Sequence, residues 1–397
     1  MAEDAARAFN QRLAAAYDAE PYDRGPTSGI EPRFILGAAA LMGGVTSADG
    51  VLDIGCGVGT ALGVAANVTN GPLVGVDISR TSCAIARERL ATHGERVKIV
   101  HADLMDLAPQ DLGQFDLIYL VGLIYVAPAE VRAKALDLAA ACLKPGGCLV
   151  ITYYAGVVPL IRSWVHRLLK PYPRQDGPLS NTISFMRGDL AALREDLGAK
   201  DPANLARIAL NDLIGLPDQE FEHEVFGAPL DIVQTHEIEA LMAPHGVRFC
   251  AYLHGPFHAS APSSQVRALK TDAYDLRLGG YRTALFVKTA HDGPFDVSTP
   301  GVLWATSLPL RDEGADRDAP YITQTGAQLT FHNPLIRAAI ESLHDGYKTF
   351  DELWADLQLR EPEAAGAPEA REALQSDMRQ LLIHAYLRPI ANPYFRP

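Results

Sequence analysis

Between residues 50 and 155, short apolar runs alternate with amphipathic stretches. VLDI (51–54), PLVGVDIS (72–79), VKIVHAD (97–103), FDLIYLVG (115–122) and GCLVITYY (147–154) are apolar along most of their length. That is the pattern of strands covered on both faces. The stretches between them read as helices. One starts near Ser79 to Ser82 and runs to a glycine stop at Gly94. Another follows Pro128, with Val131, Ala135, Leu138 and Cys142 at helical spacing. The alternation predicts βαβ units, hence a parallel sheet with helices on both faces.

Beyond Tyr154 the pattern changes. VPLIRSWVHRLLK (158–170) is amphipathic and ends at Pro171 and Pro173, residues 189–215 read as helical, and HEIEALMAPHG (236–246) is a short helix closed by Gly246. Two strand-like runs return, VRFCAYLH (247–254) and YRTALFVKT (281–289). HDGPFDVSTPG (291–301) is turn-rich and marks a boundary. VLWATSLPL and YITQTGAQLTF beyond it are strand-like. Helix 333–345 has Asn333 as cap and Pro334 in its first turn, TFDELWADL opens on a Thr349 to Glu352 capping box, and a last helix near 367–387 stops before Pro389. EPEAAGAPEA (361–370) reads as a loop. The expected division is an N-terminal helical or lid segment (1–45), a core (46–155), a helical insertion (156–246), the last strands of the core (247–290) and a C-terminal α+β domain (291–397).

Composition narrows the function classes. The 397 residues carry 48 acidic and 35 basic side chains, a formal charge of −13, which disfavours a nucleic-acid partner. The five cysteines are odd in number and form no CxxC pair, as expected of reduced thiols in a cytoplasmic protein. MAEDAARAFNQRL has no apolar core of a secretory signal, and no apolar run approaches the roughly 20 residues of a membrane span, so no membrane partner is expected. His254 and His258 are separated by Gly255 and Pro256, which prevent a helix between them, and no metal site is expected.

The run VLDIGCGVGT (51–60) carries candidate chemistry. A phosphate-cradling P-loop needs a lysine that is absent here, and the dinucleotide fingerprint GxGxxG is replaced by GxGxG. Asp53 lies two residues ahead of the first glycine, where a carboxylate repels a pyrophosphate and favours a cation. S-adenosylmethionine (SAM) carries an ammonium and a sulfonium and no phosphate. Asp77, ending the second strand, is placed for ribose hydroxyls, and Asp103, ending the third, for the adenine amino group. The candidate cofactor-contacting set is Asp53, Gly55, Cys56, Gly57, Gly59, Asp77, Ile78, Asp103, Leu104 and Val121. The Cys56 and Cys83 thiols read as packing groups, not nucleophiles.

VLDIGCGVGT, VGVDIS, HADL, FDLIYLVG and LKPGG (143–147), in this order, resemble the class I SAM-dependent methyltransferases. YDAEPY (17–22), FEHEVFG (221–227), DLRLGGYRTALFVK (275–288) and NPLIRAAIESL (333–343) extend the resemblance to bacterial methyltransferases with a methyltransferase regulatory domain, a family that includes protein-lysine methyltransferases. The resemblance implies a Rossmann-like seven-stranded α/β sheet, a helical insertion before the last two strands and a small winged-helix-like C-terminal α+β domain. The family's final hairpin strand corresponds to 275–288. Its His-Gly-Val-Tyr-Ser-Trp after the fourth strand is replaced by residues 121–126, which keep only the glycine, and its Ser-Tyr-Asn after the fifth by Thr152, Tyr153 and Tyr154.

Tyr153 and Tyr154 are the first candidates to line the methyl-acceptor site, since aromatic rings hold a cationic amine and a hydroxyl can orient it. His223, beside Glu224, is a candidate base or a polar contact of the insertion. Tyr17 and Tyr22 are candidate lid residues, and Tyr125 a substrate-side residue. Three functions stay open: N-methylation of a protein or peptide, lysine included; methylation of a small metabolite or natural-product intermediate; and SAM binding without catalysis. In each, the C-terminal module is a candidate contact for a partner or a homodimer.

Overall fold

The computed structural model describes residues 2–23, 30–156, 160, 163–165, 167, 179–196, 205–218, 221, 233–255, 257–278, 280–309, 320–322, 328–383 and 386–392. Two helices, α1 (Ala2–Ala19) and α2 (Pro32–Ala40), precede the sheet. Pro32 suits the first turn of α2, and the Glu31 carboxylate caps it by accepting the Arg33 and Phe34 backbone N–H groups at 3.1 and 2.7 Å. The βαβ region follows as β1 (Val51–Ile54), α3 (Thr60–Ala65), β2 (Leu73–Asp77), α4 (Arg80–Arg89), β3 (Val97–His101), α5 (Pro109–Leu112), β4 (Phe115–Leu120), α6 (Ala129–Cys142) and β5 (Leu143–Ala155). Ser79 caps α4, which ends before a 3-10 stretch containing Gly94 rather than at that glycine. The fifth strand starts four residues earlier than its apolar core suggests, because Leu143 already pairs with Phe115.

The insertion contains α7 (Leu179–Asp196) and α8 (Leu205–Gly215); the expected helix 158–170 lies largely outside the described residues. Their apolar faces meet in a separate cluster around Met186, Leu190, Leu210 and Phe221. Then come α9 (Thr235–Met242), β6 (Val247–Tyr252), α10 (Ser264–Leu278) and β7 (Gly280–Lys288). Residues 275–278, expected at the start of a hairpin strand, instead end α10. The sheet order is β3-β2-β1-β4-β5-β7-β6, and β7 alone runs antiparallel to its neighbours. Strand order reverses between β1 and β4, so a crevice opens at the carboxyl ends there.

Both faces of the sheet are covered, as the continuous apolar runs require. Along β4, Leu117 and Tyr119 enter one core, while Ile118 and Leu120 enter the other. The first core also contains α2 and the C-terminal elements: β8 (Val302–Thr306), β9 (Tyr321–Ile322), β10 (Gln328–Leu329), α11 (Pro334–His344), α12 (Phe350–Arg360), α13 (Pro362–Ala365), α14 (Ala370–Ile383) and β11 (Leu387–Ala391). Asn333 caps α11, and Thr349 and Glu352 form the capping box of α12. EPEAAGAPEA, expected as a loop, contains the single turn α13, opened by Pro362. The last helix ends at Ile383, and Leu387 already belongs to β11, which pairs antiparallel with β8. The turn-rich run 291–301 is pinned down by fully buried Phe295 and Val297.

Candidate active site

The loop after β1 is set by three glycines in the left-handed region: Gly55 at φ 80°, Gly57 at 49° and Gly59 at 82°. A side chain there would strain the backbone, and Gly55, where a Cβ would lie 3.2 Å from Leu123, and Gly59 add a steric reason. At Gly59 a Cβ would press on Ala86 and Leu90 of α4, 3.1 and 3.2 Å away. At Gly57 it would meet nothing within 4 Å, because Gly57 opens into the cavity over the sheet's carboxyl ends.

Asp77, at the end of β2, braces this loop. Its Oδ2 accepts the Gly57 N–H at 2.8 Å and its Oδ1 the Ser79 N–H at 2.8 Å. Burial raises its pKa, partly countered by those hydrogen bonds. Asp53 is 2% exposed; burial first, and the nearby Asp77 charge second, push its pKa up to about 8. Asp103 caps the turn 104–106, and its Oδ1 accepts from Met105 N at 2.9 Å and from Asn10 Nδ2 at 2.8 Å.

The cavity brings together Gly55, Gly57, Asp77, Ile78, Asp103, Leu104, Val121, Tyr17, Tyr22 and Tyr125 from the expected site. It adds Asn10, Leu13, Val76, Ser82, Gly122, Leu123, Val126, Ala127 and Val131, which sequence reasoning missed. Asn10, Leu13 and Tyr17 repeat at i, i+3 and i+7, one face of α1. That spacing was the available signal for them. Among the described residues no Lys, Arg or His lines the cavity, and the Gly57 N–H is committed to a carboxylate. Such walls suit a phosphate-free ribonucleoside bearing positive charge and disfavour a pyrophosphate. The residues present therefore fit SAM: Asp77 would meet the ribose hydroxyls, Asp103 the adenine amino group, and Asp53, buried behind the loop, would ionise beside a bound cation.

Several expected residues stand elsewhere. Asp53 lies behind the loop, and Cys56 and Gly59, within it, do not line the cavity. Cys56 is 6% exposed, and burial raises its thiol pKa well above the usual value. Tyr153 is fully buried in the core it shares with Leu149 and Ile151, donates to Thr235 Oγ1 at 2.9 Å, and is not among the residues that line the cavity. Adjacent strand residues face opposite sides, and Tyr153 and Tyr154 cannot both point the same way. Tyr154 is not in the cavity wall either; it stands behind Tyr125, with ring centroids 4.8 Å apart, and Tyr281 stacks edge-on against both. His223 and Glu224 lie outside the described residues. Among the described residues no group of three His, Cys, Asp or Glu is arranged to hold a metal, and no helix is long and apolar enough to cross a membrane.

Comparison with known proteins agrees with this geometry. Residues 51–147 match the family described as a methyltransferase domain. Ubiquinone biosynthesis O-methyltransferase of Aromatoleum aromaticum is 31% identical over 97 residues, 24% of this chain and 40% of that protein. Methyltransferase GfsG of Streptomyces halstedii is 34% identical over 109 residues, 27% and 38% of the two chains. The chain thus spans about two fifths of the length of these curated relatives. PKMT2 from Rickettsia typhi is similar in fold over 93% of this chain and 77% of its own, with a TM-score of 0.71 and 16% identity. Its complex with AdoHcy superposes with a TM-score of 0.69 at 16% identity, over 94% of this chain and 77% of its own. Residues 51–147 thus match a methyltransferase domain, and the glycine loop and the acids at the ends of β1 to β3 all lie within or beside that segment's carboxyl-end crevice.

Proposed function

We propose that the protein transfers a methyl group from SAM to an amine nitrogen of a protein or peptide, a lysine side chain being the simplest acceptor. The observation that carries the cofactor half is the cavity itself, acidic at its base and without a cationic side chain on its described walls. Bound SAM would supply an activated methyl on a sulfonium. The protein's share is to bring a neutral lone pair into line and to exclude water. Leu123 and Val126 give the cavity an apolar wall. Tyr125 lines the cavity, its ring held by the Tyr154 and Tyr281 rings, and an aromatic wall suits an amine approaching with its charge partly shed.

The polymer acceptor is supported by two observations. The fold likeness to PKMT2 extends well past the cofactor domain, and YDAEPY and NPLIRAAIESL resemble a family that includes protein-lysine methyltransferases. A small-molecule acceptor is the second reading, favoured by the two curated relatives, one of them named for ubiquinone biosynthesis. Incubating the purified protein and tritiated SAM with dialysed cell extract separates the two. Label in protein bands is the expected result. Label confined to a small-molecule fraction overturns the polymer acceptor, and no transfer into any fraction overturns methyl transfer.

A further inference from the structure

The cavity is not built from the methyltransferase domain alone. Its outer wall is α1, and from α1 the Asn10 side chain, 3% exposed, reaches Asp103 across 93 positions of sequence. Asn10 Nδ2 and Met105 N both donate to Asp103 Oδ1, at 2.8 and 2.9 Å. Two donors on one oxygen fix the plane of the carboxylate. Among the described residues no donor bonds to Oδ2, which is left as an acceptor at the cavity wall.

Resting on the reading of this cavity as the SAM site, we propose that Asn10 is a positioning residue for purine recognition. It holds Asp103 so that the free carboxylate oxygen meets the exocyclic amino group of adenine. A 6-oxo purine presents an acceptor at that place, and two acceptors facing each other repel. The fixed carboxylate therefore selects an amino purine, whereas a carboxylate free to swing would select less sharply. Asn10 does not carry the docking of α1 alone. Arg7 pairs with Asp106 at 2.7 Å, and Asp18 accepts from the Ser79 hydroxyl at 2.8 Å and the Thr81 N–H at 3.0 Å. An Asn10 variant thus keeps a docked helix.

The test is titration calorimetry of the full chain with S-adenosylhomocysteine and with S-inosylhomocysteine, which differ at the purine 6 substituent and, with it, at N1, an acceptor in adenine and an N–H donor in hypoxanthine. The unaltered protein should prefer the adenine ligand by roughly ten-fold or more. Asn10→Leu, and Asn10→Ala as a smaller variant that also loses the donor, should shrink that preference several-fold by weakening the adenine ligand. Arg7→Ala should leave the preference intact, and thermal melts verify that each variant is folded. Equal weakening of both ligands by Asn10→Leu would reduce Asn10 to a docking contact and overturn the proposal, as would an unchanged preference. If the unaltered protein binds neither ligand, it is the cavity reading that fails, and this inference falls with it.

Discussion

Asp53 is where charge and burial are most tightly opposed. Its carboxyl is pushed up to about 8 by burial, against the ordinary carboxylate range near 4. The folded protein therefore binds this proton over a window in which the unfolded chain has released it. The contribution of Asp53 to ligand-free stability should fall as pH rises from about 4 towards 8. A cation placed beside the loop favours the carboxylate, so binding releases the proton. SAM affinity should rise between about pH 6 and 8 and turn over as the ligand's own ammonium deprotonates near 8. Asp53→Asn should remove the rising limb and weaken binding by roughly ten-fold. Calorimetry across this range checks it, and an unaltered pH profile in Asp53→Asn would rule out Asp53 as the titrating group. The cysteines show the same physics: burial raises Cys83 to about 11 and Cys250 to about 12, outweighing the nearby Arg87 and Arg267 charges. They act as small packing groups, as their sequence setting suggests.

Among the elements, strands and helices with an apolar period were readable, and those whose buried face is polar were not. The buried stripe of α10 is Ser264, Arg267, Ala268 and Thr271, at i, i+3, i+4 and i+7. The helical spacing is present, yet only one member is apolar, so no hydrophobic signal marks it. Arg267 is satisfied there by the Phe249 carbonyl at 3.1 Å, the Gly293 carbonyl at 3.3 Å and the Phe295 ring beneath it. β11 was hidden by Pro389, which argues against a strand. The proline is tolerated because β11 belongs to a two-stranded sheet with β8 and so is an edge. α2 packs closely on this strand. A Cβ on Gly37 would lie 2.7 Å from Ile390 N and 2.8 Å from Ala391 N, both backbone atoms that no rotamer change can move. Gly37→Ala should therefore lower stability by about 1–3 kcal/mol despite the better helix propensity of alanine. Chemical denaturation measures this, and a stabilised variant would show that α2 and β11 can separate without cost.

For the molecule as a whole, the decisive feature is a shared core. One buried cluster runs from Ile35 and Leu41 through Leu117 and Val150 of the sheet to Trp304, Leu353 and Leu382. Elements on both sides of the turn-rich run 291–301 bury the same surface, so neither side keeps its core when the other is lost. Calorimetric unfolding should show the sheet and the C-terminal helices melting in one transition, with truncation after residue 301 abolishing it. Two resolved transitions that survive truncation would show an autonomous C-terminal domain. α7 and α8 pack in their own cluster and are the elements expected to loosen separately.

The order of β1 to β5, the glycine turn and the acids ending the first three strands are legible in the amino-acid order alone. Those features follow from short-range rules: apolar periodicity, permitted φ angles, and the charge a ligand will accept beside it. Which side chains share the cavity follows from how distant elements pack together. Strand alternation shows that Tyr153 and Tyr154 face opposite ways but does not say which side is the site, and in the fold it is Tyr125 that reaches the cavity, with Tyr154 behind it. Likewise, nothing local couples Asn10 to Asp103; the contact exists because α1 folds back over the carboxyl ends of the sheet, and burial there leaves the Asn10 amide to find its partner in Asp103.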